Sequence, residues 1–229
     1  MTHQQTIQQA NYYLDQGISV IPVRDKPQMF KGREYPVKSA YPWAKYQREI
    51  ITKGELYYLL TELYDTKGFG IVGGAVSGNL EIIDIDVKNW AGIDARLFQD
   101  IRAMFPALFD RLRIHQSPSK GYHILYRISD HQTEGNRKLA FKDGAKEAAI
   151  ETRGEGGYVV ASEAIVYKVV KDNPIPIITW NERCSLISIC EGYNERVKPK
   201  EFKPSRIVSD YYDENPFDHF NNSAAAESG

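Results

Sequence analysis

An α+β fold, with mixed or antiparallel sheets and flanking helices, is what this 229-residue sequence predicts. Three observations carry that expectation. Short apolar runs with strand character recur along the chain. Most are joined by hairpin-length turns rather than by helical crossovers. A few amphipathic segments with helical spacing stand between them.

In chain order, Ile7, Ala10 and Leu14 keep helical spacing and Gly17 is a good terminator, so a helix is expected near residues 4–16. Ile18–Val23 follows as a strand. Residues 24–50, rich in Pro, Lys, Arg and aromatics, read as a long irregular segment. Thr52-Lys-Gly-Glu55 has the form of a capping box and opens a helix carrying Leu56, Leu59, Leu60 and Leu63. A strand over Phe69–Gly73 should then turn at Ser77-Gly-Asn79 into the run Leu80–Asp86 as a hairpin. Ile93, Leu97, Ile101 and Phe105 give a helix stopped by Pro106. Arg111–Gln116 and His123–Ile128 bracket a turn as a second hairpin. Residues 129–147 are polar, and no element is expected there. Strands near 148–153, 158–161 and 165–170 and a helix around 181–195 complete the reading.

Composition sets the frame. A 42% hydrophobic and 26% charged chain is ordinary for a globular protein with a proper core. A formal net charge of −1 argues against a wholesale nucleic-acid coat, although basic residues can still cluster locally. Cys184 and Cys190 have no histidine near them, which argues against structural zinc, and two lone cysteines suit a reducing cytoplasm. No apolar run approaches the roughly 18 residues that would span a membrane. From Lys198 onward the chain is Pro- and Lys-rich, then Asp- and Asn-rich. The expected organisation is therefore a folded domain over residues 1–197 and a linker or tail over 198–229 leading to a further module.

The chemistry-bearing residues fall in three segments. Leu80-Glu-Ile-Ile-Asp-Ile-Asp86 places Asp84 and Asp86 on one face of a strand, with Ile83 and Ile85 on the other. Two carboxylates in one row repel each other unless a cation lies between them, and the natural tenant is Mg²⁺ or Mn²⁺. Ser117-Pro-Ser-Lys-Gly-Tyr-His123 is a turn whose amides and hydroxyls suit phosphate oxygens, with Lys120 and His123 adding donors. Ile150-Glu-Thr-Arg153 puts Glu151 and Arg153 on one strand face ahead of a glycine turn. Together these describe two-metal phosphoryl transfer. Glu155 competes with Glu151 as the third carboxylate, His115 reads as structural or exposed, and Tyr158 as a sheet residue. Lys31, Arg33, Lys38, Lys45 and Arg48, interleaved with aromatics, are either a template or triphosphate grip or a solvated basic loop.

In this order the three segments resemble the motifs of the primase-polymerase (bifunctional DNA primase/polymerase) domains of the archaeo-eukaryotic primase superfamily, found on plasmids, phages and other mobile elements. The resemblance covers roughly residues 5 to 170, and Gly70-Ile-Val-Gly-Gly-Ala-Val-Ser-Gly78 is similar to the family's glycine-rich approach to the first motif. Lys120 stands where the turn often has glycine, Glu151 where many members have aspartate, and Ala161-Ser-Glu163 where a proline-containing continuation is usual.

The resemblance implies an RRM-like catalytic core and template-directed nucleotidyl transfer. It implies Asp84, Asp86 and Glu151 as catalytic metal ligands for Mg²⁺ or Mn²⁺, and Ser119, Lys120, Gly121, His123 and Arg153 as nucleotide-binding residues. The implied partners are a single-stranded DNA template and nucleoside triphosphates, with a helicase domain or helicase partner in the same picture. The implied setting is the cytoplasm of a bacterial or archaeal host, or a phage-encoded protein. Two other functions use similar residues: a metal-dependent nuclease or phosphodiesterase, and a catalytically idle DNA-binding replication-initiator module.

Overall fold

The structure, a computed structural model, describes residues 2–196 apart from 36, 37, 40, 41, 64, 65 and 166. The expected tail at 198–229 lies outside the described residues. The fold begins with α1 (His3–Leu14), which a full capping box starts: the Thr2 hydroxyl accepts from Gln5 N–H, and the Gln5 side chain accepts from Thr2 N–H. Thr6, Ala10 and Tyr13 form its buried face. Then come β1 (Val20–Val23), β2 (Gln28–Phe30) and β3 (Arg33–Tyr35). The last two make a small hairpin where a wholly irregular segment was expected. Lys31 (φ 50°) and Gly32 (φ 73°) supply its tight two-residue turn, which needs two left-handed residues in succession.

The next helix, α2 (Lys53–Tyr58), runs on as a π-helical turn over Leu59–Leu63. Its expected capping box is only half formed. Thr52 accepts from Glu55 N–H, but the Glu55 carboxylate accepts from the Tyr46 hydroxyl at 2.5 Å instead of reaching back to the cap. Beyond it lie β4 (Gly68–Val72), β5 (Leu80–Ile85), α3 (Ile93–Met104) and α4 (Pro106–Arg111). Pro106 both ends α3 and occupies the first turn of α4, where its missing N–H costs nothing. The remaining elements are β6 (Arg113–Gln116), β7 (Tyr122–Ile128), β8 (Arg137–Ala140), β9 (Ile150–Arg153), β10 (Tyr158–Val160), β11 (Lys168–Lys171), β12 (Ile177–Ile178) and α5 (Trp180–Gly192).

The strands sort into a large sheet of order β11-β6-β7-β5-β9-β8, with β12 parallel to the end of β7, and a small antiparallel sheet of order β1-β4-β10. The hairpin expected around Ser77-Gly-Asn79 is therefore corrected: β4 and β5 belong to different sheets, and Leu80 of β5 meets only an isolated bridge at Gly74, two residues past the end of β4. The physical reason is Ser77. Its buried hydroxyl donates to Val72 C=O at 2.6 Å and accepts from Ser19 N–H at 2.9 Å, so it takes up backbone groups where β4 ends beside β1. The 129–147 segment likewise contains an unexpected strand, β8, which pairs β9.

Alternate residues of β5 and β7 enter two cores, as strand pleating dictates. Ile83, Ile85, Ile124 and Tyr126 pack with residues of α3, α4 and α5 on one face of the large sheet. Leu80, Ile82 and Leu125 pack on the other face with residues of α1, α2 and the small sheet. The strand carrying Asp84 is therefore buried on both sides until its last residues. Among the described residues, no helix is long and apolar enough to cross a membrane.

Candidate active site

Register assembles the site. Asp84 on β5 stands directly opposite His123 on β7 and Glu151 on β9. The row extends outward to His115 opposite His123 on β6 and to Lys138 opposite Glu151 on β8. Side chains opposite one another in a sheet share a face, so strands far apart in sequence deliver one line of titratable groups. Asp86 lies just past the strand, where its N–H donates to Ala149 C=O at 2.8 Å. Asp84, Asp86, Glu151, Ser119, His123 and Arg153 all line one cavity of about 520 Å³.

Contacts within the cavity balance charge. His123 Nε2 is 3.5 Å from Asp84 Oδ1, and Arg153 Nε is 3.7 Å from Asp84 Oδ2. The Arg153 guanidinium also donates to Glu151, and Lys88 donates to Asp86 Oδ2 at 2.7 Å. Burial pushes the Asp84 carboxyl up, but His123, Arg153 and Lys88 together hold it below the ordinary carboxylate range. Burial raises the Glu151 carboxyl above its usual value, and the charge on Asp84 adds to that, against the opposing charges of Arg153 and Lys138. Bonding to Asp86 raises the Lys88 ammonium.

The serine turn differs in detail from the phosphate cradle expected. Ser117 N–H donates to Gly121 C=O at 2.8 Å and Lys120 N–H to Ser117 C=O at 3.0 Å, so the turn itself uses both amides. Pro118 has no N–H, which leaves the amides of Ser119 and Gly121. Lys120, at φ 69°, holds the left-handed conformation that favours glycine, and its exposed side chain is not part of the cavity lining. Gly121 is also absent from the lining. It lets the turn press against β5, since a Cβ there would sit 2.4 Å from Ile85 O.

Several lining residues were not singled out from the sequence. The Tyr167 ring stacks on His123 at 5.6 Å between centroids, and burial together with Asp84 and Asp86 pushes its hydroxyl up to about 12. Asn89 donates to Ala148 C=O at 2.7 Å and borders the cavity with Lys88, Ser117 and Glu147. Lys88 and Asn89 had a signal in sequence, standing two and three residues after Asp86. Tyr167 had none. Of the basic loop residues, Lys38 reaches this cavity, and with Trp43 and Tyr158 it lines a neighbouring one of about 440 Å³. Glu155 turns away and accepts from Ala75 N–H at 2.8 Å. His115 is buried and structural: burial, with His123 and Arg113 nearby, pushes its ring down to about 3.

Fold and cavity define a class: an α+β domain with an acidic, arginine- and histidine-bearing cavity on a largely antiparallel sheet. The chain matches the family model described as bifunctional DNA primase/polymerase, N-terminal (Prim-Pol), over residues 10–180, and it belongs to that family. Membership implies a nucleotidyltransferase-type primase or polymerase whose substrates are DNA and nucleotides, in a family that usually uses divalent metals. No curated protein matches the chain.

Proposed function

We propose that this chain is a template-directed DNA primase/polymerase that joins a nucleotide to a 3′-hydroxyl or to an initiating nucleotide, releasing pyrophosphate. The observation that carries this is the cross-strand row in which His123 and Glu151 flank Asp84, with Asp86 and Arg153 on the same cavity.

The donor set fits a hard divalent cation, because Asp84, Asp86 and Glu151 bring carboxylate oxygens to one cavity with side chains only about a quarter exposed. Among the described residues no three His, Cys, Asp or Glu side chains are gathered closely enough to hold an ion as they stand. Lys88 and Arg153 instead supply the positive charge these carboxylates require. Asp84, Asp86 and Glu151 would hold Mg²⁺ or Mn²⁺, which supplies Lewis-acid activation of the attacking hydroxyl and neutralises the triphosphate.

The chain's own groups do the rest. Asp84 is ionised at neutral pH and ready to ligate, because His123, Arg153 and Lys88 offset the burial that opposes its charge. His123, Ser119 and the Ser119 amide hold phosphate oxygens of the nucleotide, and Arg153 supports them once it is released from Glu151. Calorimetry with a nucleoside triphosphate and Mn²⁺ tests this reading. Metal-dependent nucleotide binding that His123→Ala weakens is expected. Binding indifferent to both Mn²⁺ and His123 would refute it.

A further inference from the structure

A second cavity, of about 390 Å³, has no part in the catalytic reading. It is walled by α1 (Gln9, Tyr12, Tyr13), Phe69 of β4, Arg113 of β6, and by Ala161, Glu163, Val169 and Asp172. Three aromatic rings line it. Tyr12 meets Tyr13 edge-to-face at 5.3 Å, and Tyr13 meets Phe69 at 5.9 Å. The Arg113 guanidinium lies 5.4 Å from the Tyr12 ring centre and 6.0 Å from that of Tyr13.

The polar groups around these rings are partly committed. Arg113 Nε donates to His115 Nε2 at 3.2 Å, and Nη1 donates to Asp172 Oδ1 and Asn173 C=O at 2.8 Å each. A guanidinium can only donate, so His115 Nε2 accepts and the ring proton sits on Nδ1. Arg113 Nη1 also donates to the Tyr12 hydroxyl at 3.4 Å, and the guanidinium bonds to the Tyr13 side chain as well. Two groups remain uncommitted among the described residues. The Glu163 carboxylate makes no hydrogen bond there. Gln9 Oε1 is buried without a partner.

Donor and acceptor groups around these edge-to-face and tilted rings select one ligand chemistry. An aliphatic ligand would leave Gln9 and Glu163 unmatched, and a bare phosphate would meet Arg113 but be repelled by Glu163 and Asp172. A flat heteroaromatic ring with both donors and acceptors on its rim satisfies all of them. We propose that this cavity binds a nucleobase, presented either by a free nucleotide or by an unpaired base of a strand. The two cavities draw lining residues from neighbouring positions of the chain. In the 161–172 segment Tyr167 stacks on His123 in the catalytic cavity, while Glu163, Val169 and Asp172 line this one.

The test is independent of the metal-centred reading because it runs in EDTA. The full chain is titrated with guanosine and adenosine monophosphates, with a short single-stranded oligonucleotide, and with the same oligonucleotide made abasic. Tyr12 is 45% exposed, so Tyr12→Ala should leave the fold intact, and Glu163→Gln alters only an exposed side chain. Tyr12→Ala is expected to weaken base-dependent binding about tenfold, as loss of one stacking face should. Glu163→Gln should weaken it as well, and His123→Ala should not. A loss seen with the monophosphates supports a free nucleotide, and a loss confined to the base-bearing oligonucleotide supports a strand base. Absence of base-dependent binding, binding indifferent to Tyr12, or binding lost only in His123→Ala overturns the proposal.

Discussion

Arg183 offers the sharpest energetic test of how the fold supports its site. It lies on α5, beyond residue 180 where the family match ends. Arg183 is 2% exposed and donates from Nε and Nη2 to Glu81 at 2.9 and 2.8 Å, and from Nη2 to Glu134 at 2.8 Å. Glu81 is fully buried on β5, three residues before Asp84, and also accepts from the Tyr126 hydroxyl at 2.7 Å. Arg183→Met keeps the packing volume but leaves a buried carboxylate without its counter-charge. Removing one partner of such a pair costs about 3–5 kcal/mol, a large share of the roughly 5–15 kcal/mol that holds a domain together. With a urea dependence of about 2 kcal/mol per molar, the unfolding midpoint should fall by about 2 M. Adding Glu81→Gln removes the stranded charge while keeping an acceptor for Tyr126, so the double variant should recover part of the loss. A single variant within about 0.5 M of the parent, or a double variant less stable than the single, would refute the reasoning.

Three further outcomes follow from the structure. His115 has a ring pKa of about 3 in the folded chain, against the ordinary 6.5. The unfolded chain thus binds the extra proton first as pH falls. Stability should drop by about 1.4 kcal/mol per pH unit through that window, and urea midpoints at neutral and acid pH should show a shallower drop in His115→Gln; equal slopes would contradict this. His123→Ala should raise KM for nucleotide more than it weakens template binding, and titrations showing the reverse would move His123 to another role. Residues 198–229 are proposed as a linker, because their composition lacks the apolar periodicity that offsets ordering entropy. Cutting the chain near Lys200 should therefore leave Tm and primer extension almost unchanged, whereas precipitation or lost activity would move the boundary.

How much of this was legible in sequence depended on the range of the interaction. The Asp84 strand was readable because its period-two pattern is local, and the β6–β7 hairpin because its turn residues lie between its strands. Assignment of β4 and β5 to separate sheets was not readable, since it rests on Ser77 meeting Ser19 and Val72 through the fold. Strand β8 hid because half of it is polar and exposed at a sheet edge. Within the site, Asp84, His123 and Glu151 came from ordered motifs, whereas Tyr167 and the arrival of Lys38 depend on chain closure with no local signature. Glu81 did carry a signal: it shares the face of Ile83 and Ile85, where a charge breaks the apolar pattern and calls for a buried partner.

The central claim is that the carboxylates beside His123 and Arg153 drive nucleotide incorporation. Primer synthesis and extension on single-stranded DNA, with ribo- and deoxynucleotides in turn, measures it directly when run on the parent, Asp84→Ala and Asp86→Ala with Mg²⁺ or Mn²⁺. The account predicts incorporation and pyrophosphate release in the parent and none in either variant, with the fold kept and melting temperatures only modestly lowered by loss of the contacts to His123, Arg153 and Lys88. Incorporation near the parental level in either variant would contradict it.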